Sequence, residues 1–152
     1  MGPLKFDERL LGKGAQVGND SWFSLSVKQL GLKVMLNPQA MVDHFPAERA
    51  DGARDSLTKE KCFENTANYV AISVSNQNLW TKFKFIIFHL LIGNRFCPGV
   101  FYFAHGLVKR PKELPTIVRG GWSGFFAGLK LSKEFEKTPP RFATGPINNK
   151  GM

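Results

Sequence analysis

The alternation of apolar and polar positions divides the chain into segments of different period. Residues 19–30 open with Asn19, Asp20 and Ser21, good residues for a helix start, and stop at Gly31. Within them Trp22, Phe23, Val27 and Leu30 fall on one helical face. The spacing predicts a helix with Asp20 near its N-terminus, where the macrodipole favours a carboxylate. After Gly31 the apolar runs shorten: residues 32–36, a turn at Asn37-Pro38, and residues 40–45 before Pro46. That pattern predicts one or two short strands around a tight turn. Residues 1–18, punctuated by Gly12, Gly14 and Gly18, and the hydrophilic residues 46–58 read as loops.

From Thr58 the helical period returns. Phe63, Ala67, Val70, Ala71 and Val74 recur at 3.6-residue spacing, and the polar residues 73–78 end that helix. An apolar run over 82–93 follows, closed by Asn94-Arg95. A second, over 96–108, contains Pro98, Gly99 and Gly106, and a weaker amphipathic stretch covers 114–131. The tail from Thr138 is rich in Pro, Gly and Asn. The chain therefore divides into 1–57, a basic amphipathic helical region over 58–137, and a tail over 138–152. Asn94-Arg95 splits the most apolar region into pieces well short of the about 18 residues that a membrane span needs. Such helices can lie in the headgroup layer of an anionic leaflet, or pack on another part of a larger protein.

Composition and charge narrow the function classes. With 152 residues, 43% of them hydrophobic, the chain is of single-domain size and too apolar to be disordered throughout. Two cysteines, Cys62 and Cys97, exclude a disulfide framework and a four-cysteine zinc site. They also favour a reduced compartment. No signal-peptide core occupies the first residues, so a cytoplasmic protein, peripheral on a membrane at most, is expected. The formal charge is +9, and it is unevenly placed. Residues 1–78 carry nine Lys/Arg and nine Asp/Glu, whereas residues 79–152 carry twelve and three. Basic charge suits nucleic acid, but the phenylalanines recur at helical spacing as core residues do, not as a stacking strip. A nucleic-acid partner is therefore not expected. His89 and His105 lie in apolar runs without Cys or carboxylate partners at metal spacing, so neither is assigned a ligand role.

One ordered set of residues carries candidate chemistry. Phe6-Asp7-Glu8-Arg9-Leu10, then Gly18-Asn19-Asp20 opening a helix that ends in Gly31, the segment 33–36 with Asn37-Pro38, and Val42-Asp43-His44 follow one another over residues 6–45. This order resembles the acceptor half of a family 2 glycosyltransferase, and Asn68-Tyr69 with the basic apolar helices resembles the tail of membrane-associated members. The resemblance implies an α/β fragment, mostly α. One helix and one or two short strands of the A-type glycosyltransferase fold would be followed by a bundle of amphipathic helices. It further implies Asp20 as the general base. Asp7, Glu8 and Trp22 would lie on the acceptor side and His44 near the metal and diphosphate.

Inverting sugar transfer needs such a base, because an alcohol is a poor nucleophile while it keeps its proton. On residue chemistry alone Asp20 can equally serve as a helix-start carboxylate, His44 as a strand-end residue and Trp22 as core. Asn19 stands where the family has Glu, Trp22 where it often has a second acid, and Ser26 where it often has Arg. No Asp-x-Asp metal motif and no Gly-rich phosphate loop occurs in the 152 residues. The divalent metal (Mg or Mn) and the nucleotide-sugar donor implied for a complete enzyme would require a further segment or partner chain. A polypeptide inactive by itself is the expectation. The alternative is a non-catalytic basic module that docks on an anionic membrane surface or a protein.

Overall fold

The computed structural model describes residues 7–12, 16–29, 31–41, 43 and 57–138. Among them five helices follow in order: α1 (Asn19–Gln29), α2 (Lys59–Val74), α3 (Leu79–Leu91), α4 (Val100–Lys109) and α5 (Leu114–Lys137). The expectation of a mostly helical protein holds. The expected strands do not form among the described residues. Residues 32–41 adopt no regular structure and are exposed throughout, with Met35 83% and Leu36 91% accessible. An extended segment becomes a strand only where a neighbouring strand takes up its backbone hydrogen bonds; none lies beside this one among the described residues, and its exposed backbone is left to water.

The framework is the α2–α5 pair. Gly120, Gly124 and Gly128 recur every fourth residue on α5, forming a groove that faces α2. A Cβ at Gly120 would lie 2.7 Å from the Lys59 carbonyl oxygen, and one at Gly128 would lie 2.6 Å from that of Ala67. The two backbones thus approach within the space of a missing methyl group, and Thr66, Ala67 and Val70 of α2 are fully buried against them. Thr58 caps α2, its side chain accepting from the Lys61 amide at 3.2 Å, and Asn78 caps α3 by accepting from the Thr81 amide at 2.8 Å.

Two apolar clusters flank this pair. Val70, Val74, Cys97 and Phe125 form one, with Phe85 and Ile86 of α3 packed on it. Leu10, Trp22, Ala71, Ile72 and Phe135 form the other, so residues from either side of position 57 share one core.

A short clamp joins α3 to α4. Gly93 takes a left-handed backbone (φ 74°) and forms an isolated antiparallel bridge with Pro98. The Asn94 side chain accepts from the amides of Phe96 at 2.9 Å and Cys97 at 3.0 Å. Thr66 Oγ1 donates to the Phe96 carbonyl at 2.5 Å, and Trp122 Nε1 donates to that of Pro98 at 3.2 Å. Both sides of the framework therefore hold the base of the α3–α4 hairpin. No helix among the described residues is long and apolar enough to cross a membrane.

Candidate functional site

Asp7, Glu8, Asp20 and Trp22 are described by the structure, whereas His44 lies outside the described residues. Asp7 and Trp22 meet. The Asp7 carboxylate accepts from Trp22 Nε1 at 2.8 Å and from the Arg9 guanidinium at 2.5 and 2.8 Å; the Arg9 amide adds a fourth bond at 3.1 Å. Burial acts to raise the Asp7 pKa, but the bonds from Arg9 and Trp22 outweigh it and hold the carboxyl below its ordinary value. Arg9 extends the network. Its Nη1 donates to the carbonyls of Glu134 at 3.3 Å and Thr138 at 2.7 Å, supplying donors to the last turn of α5.

Trp22 is 2% exposed, with its ring stacked on Phe135. The acceptor-facing role expected for it is therefore replaced by a core role, because a ring covered in this way has no face left for a sugar. Asp7 is in the same position: its carboxylate is engaged in fastening the loop to α1 and α5. Glu8, next to it, is exposed.

Asp20 differs. It occupies the first turn of α1 and is exposed. Positions two apart on a helix point to opposite sides, so burying Trp22 turns Asp20 outward. The structure thus does not bring Asp20 and Trp22 to one face. The entry to the helix is fixed from behind. Gly18 turns with φ 90°, its carbonyl accepts from the Trp22 amide at 2.8 Å, and the Gln16 side chain donates to the carbonyls of Leu10 and Gly12. Asn19 Nδ2 donates to Gln16 Oε1 at 3.2 Å, while its Oδ1 is shielded from solvent with no partner among the described residues.

A polar cluster that the sequence did not single out lies under α3. His89 is 1% exposed; its Nδ1 donates to the Phe85 carbonyl at 2.8 Å, which leaves Nε2 as the acceptor facing Tyr69 Oη at 3.3 Å and Asn94 Nδ2 at 3.4 Å. Burial lowers the His89 pKa, and the bond to Phe85 only partly offsets this, which favours the neutral ring. Phe85, Phe88 and Phe125 surround it. The signal available beforehand was a histidine in an apolar run, which rarely stays buried without partners. Burial also pushes the Cys97 thiol up to about 12, which removes its nucleophilic form at neutral pH. No three His, Cys, Asp or Glu side chains converge to hold an ion among the described residues.

Compared with protein-family models, curated proteins and solved structures, the chain gives no match.

Proposed function

We propose that the chain is the acceptor-side portion of an inverting family 2 glycosyltransferase, with Asp20 as its general base. The observation that carries this is the outward placement of Asp20 on the first turn of a helix held rigidly by the buried Trp22. The ordered resemblance over residues 6–45 supports the assignment. In the transfer, Asp20 takes the proton of the acceptor hydroxyl and the freed oxygen attacks the anomeric carbon. The bond from that carbon to the diphosphate oxygen breaks, its electron pair leaving with the nucleotide. Glu8 is assigned to the acceptor side, and its exposure on the preceding loop supports this. Asp7 and Trp22 act one layer behind, as positioning residues that hold the loop and the helix together.

With no converging ligands among the described residues and no Asp-x-Asp in the sequence, no step is assigned to a metal held by this chain. Donor and metal binding belong to a further segment or a partner chain, and these residues alone carry no transfer. The division into an acceptor edge over 1–57, a helical region over 58–137 and a tail over 138–152 is part of the same proposal.

The test replaces Asp20 by Asn in the source cells and measures transfer of labelled sugar from a panel of nucleotide sugars to membrane and soluble acceptors. A loss of about 100-fold or more at unchanged protein level is expected of a general base. Full transfer by the Asp20→Asn variant would leave Asp20 as a helix-start carboxylate with a worth of roughly 0.3–1 kcal/mol.

A further inference from the structure

Helices α3 and α4 are apolar on their outer side as well as their inner side. On α3 the inner side carries Phe85, Ile86 and the buried His89. The outer side carries Trp80, Phe83, Ile87 and Leu91, which are 63, 52, 39 and 60% exposed. α4, the next helix, exposes further apolar side chains, Val100, Phe101 and Val108, by 70, 69 and 79%. A helix apolar nearly all round belongs inside a larger apolar environment, and so many exposed apolar side chains on two consecutive helices mark a surface that something covers.

The surrounding charges identify the cover. Residues 79–112 hold six Lys/Arg and no Asp or Glu. Lys82 is paired with Glu136 at 2.6 Å. Lys84 lies over the Trp80 ring at 5.1 Å; Arg95 sits in the interhelical turn, and Lys109, Arg110 and Lys112 follow α4. Cations thus stand along and at the ends of these apolar helices, and two of them are paired with acids, Lys82 with Glu136 and Arg110 with Glu113 at 3.6 Å. A second copy docking through the same face would set these like charges against one another. An anionic lipid surface complements them and accepts the apolar side chains together.

Length decides how the hairpin sits. The 13 residues of α3 and the 10 of α4 span only about 20 and 15 Å, against about 30 Å of hydrocarbon. The helices therefore lie along the surface and do not cross it. Their base does not need to refold, because Thr66, Asn94 and Trp122 hold the turn.

We infer that the α3–α4 hairpin seats this protein on an anionic lipid bilayer, its outer apolar face in the headgroup–acyl boundary and Trp80 at that level. The inference rests on this face alone and not on sugar chemistry at Asp20. Sedimentation of the full chain with phosphatidylcholine vesicles, with and without phosphatidylglycerol, tests it. Binding about tenfold or more tighter to the anionic vesicles is expected, weakening with added salt.

Tryptophan emission should shift to the blue on binding, and Trp80→Phe should remove the shift while binding persists. The pair Leu91→Asp with Phe101→Asp should lower binding by at least about tenfold. Both side chains are exposed in the free chain, so the far-ultraviolet circular dichroism and thermal melt should stay as in the wild type. Equal binding to neutral and anionic vesicles, or undiminished binding by the double Asp variant, would overturn the inference. So would a dimer in lipid-free solution that the double Asp variant dissociates. Asp20→Asn should leave vesicle binding unchanged, so loss of transfer and loss of docking are read separately.

Discussion

Trp22 of α1 lies on Phe135 near the end of α5, with ring centroids 4.3 Å apart and planes 24° from parallel. Arg9 sits over the other partner of this stack, its guanidinium 4.6 Å from the Phe135 ring centre, and Asp7 ties Arg9 to the Trp22 indole. Four side chains from the loop, α1 and α5 thus hold the helix that carries Asp20. Truncating either buried ring should cost about 3–5 kcal/mol. A double-mutant cycle between Trp22→Ala and Phe135→Ala should return a coupling of about 0.5–1.5 kcal/mol, measured by denaturant unfolding. A coupling near zero would show that α1 is not seated on α5.

The α2–α5 groove gives a second outcome. A Cβ at position 128 would lie 2.6 Å from the Ala67 carbonyl oxygen and 2.7 Å from Val70 Cβ, atoms that belong to a buried helix and cannot swing aside. Gly128→Ala should therefore destabilise the protein by about 1–3 kcal/mol through overpacking, although alanine is the better helix former. Unfolding in urea measures it. A stabilised Gly128→Ala variant would mean that the helices stand further apart than the structure places them.

Helix positions after residue 58 were legible because 3.6-residue spacing is a local signal, although α3 starts at Leu79, behind its Asn78 cap, and not at the apolar run from 82. The strands expected at 32–45 were not, since an apolar run of five residues fits an extended conformation yet becomes a strand only beside a partner. α5 was expected to end near Leu131 and continues to Lys137, where Phe135 is buried by α1 and the loop. Only tertiary contacts reveal that extension. The same applies to the site. A carboxylate at a helix start can be read from sequence, but whether Asp20 or Trp22 faces outward depends on which one α5 covers. The four-residue spacing of Gly120, Gly124 and Gly128 acquires its meaning only with α2 alongside.

His89 sets a pH dependence. Its folded pKa lies below the ordinary value, so on acidification the unfolded chain takes up this proton first. Stability is then fully present above about pH 6.5, the unfolded value, and is lost as the pH falls toward the lowered folded pKa. Urea unfolding at pH 7 and pH 5 should show the drop, and His89→Gln should flatten that part of the profile. Asp7 has the same sign in a lower window. Its contribution is intact above about pH 4 and is lost as the pH falls through the depressed folded pKa. A wild-type profile flat from pH 7 to pH 5 would contradict the buried neutral imidazole.

Asn68 fastens the candidate site to the helical framework. Fully buried on α2, its amide accepts from the Leu11 N–H at 2.7 Å and donates to the Leu11 carbonyl at 2.8 Å, pairing with the loop backbone as a neighbouring strand would. Leu cannot replace either bond, and Asn68→Leu would leave the N–H and C=O of the half-buried Leu11 without their protein partner, at a cost of about 1–3 kcal/mol in all. Asn68→Asp keeps the acceptor but loses the donor to the Leu11 carbonyl, and should show a similar penalty at neutral pH with partial recovery on acidification, when a protonated carboxyl can donate again. Hydrogen exchange at the Leu11 amide and limited proteolysis of residues 7–12 measure both variants. Faster exchange there, with α2 and α5 still protected, is expected, because the loop loses its partner while the glycine-lined helix contact remains. Unchanged protection at Leu11 in the Asn68→Leu variant would show that the loop is held by Leu10 and the Asp7–Arg9–Trp22 network alone.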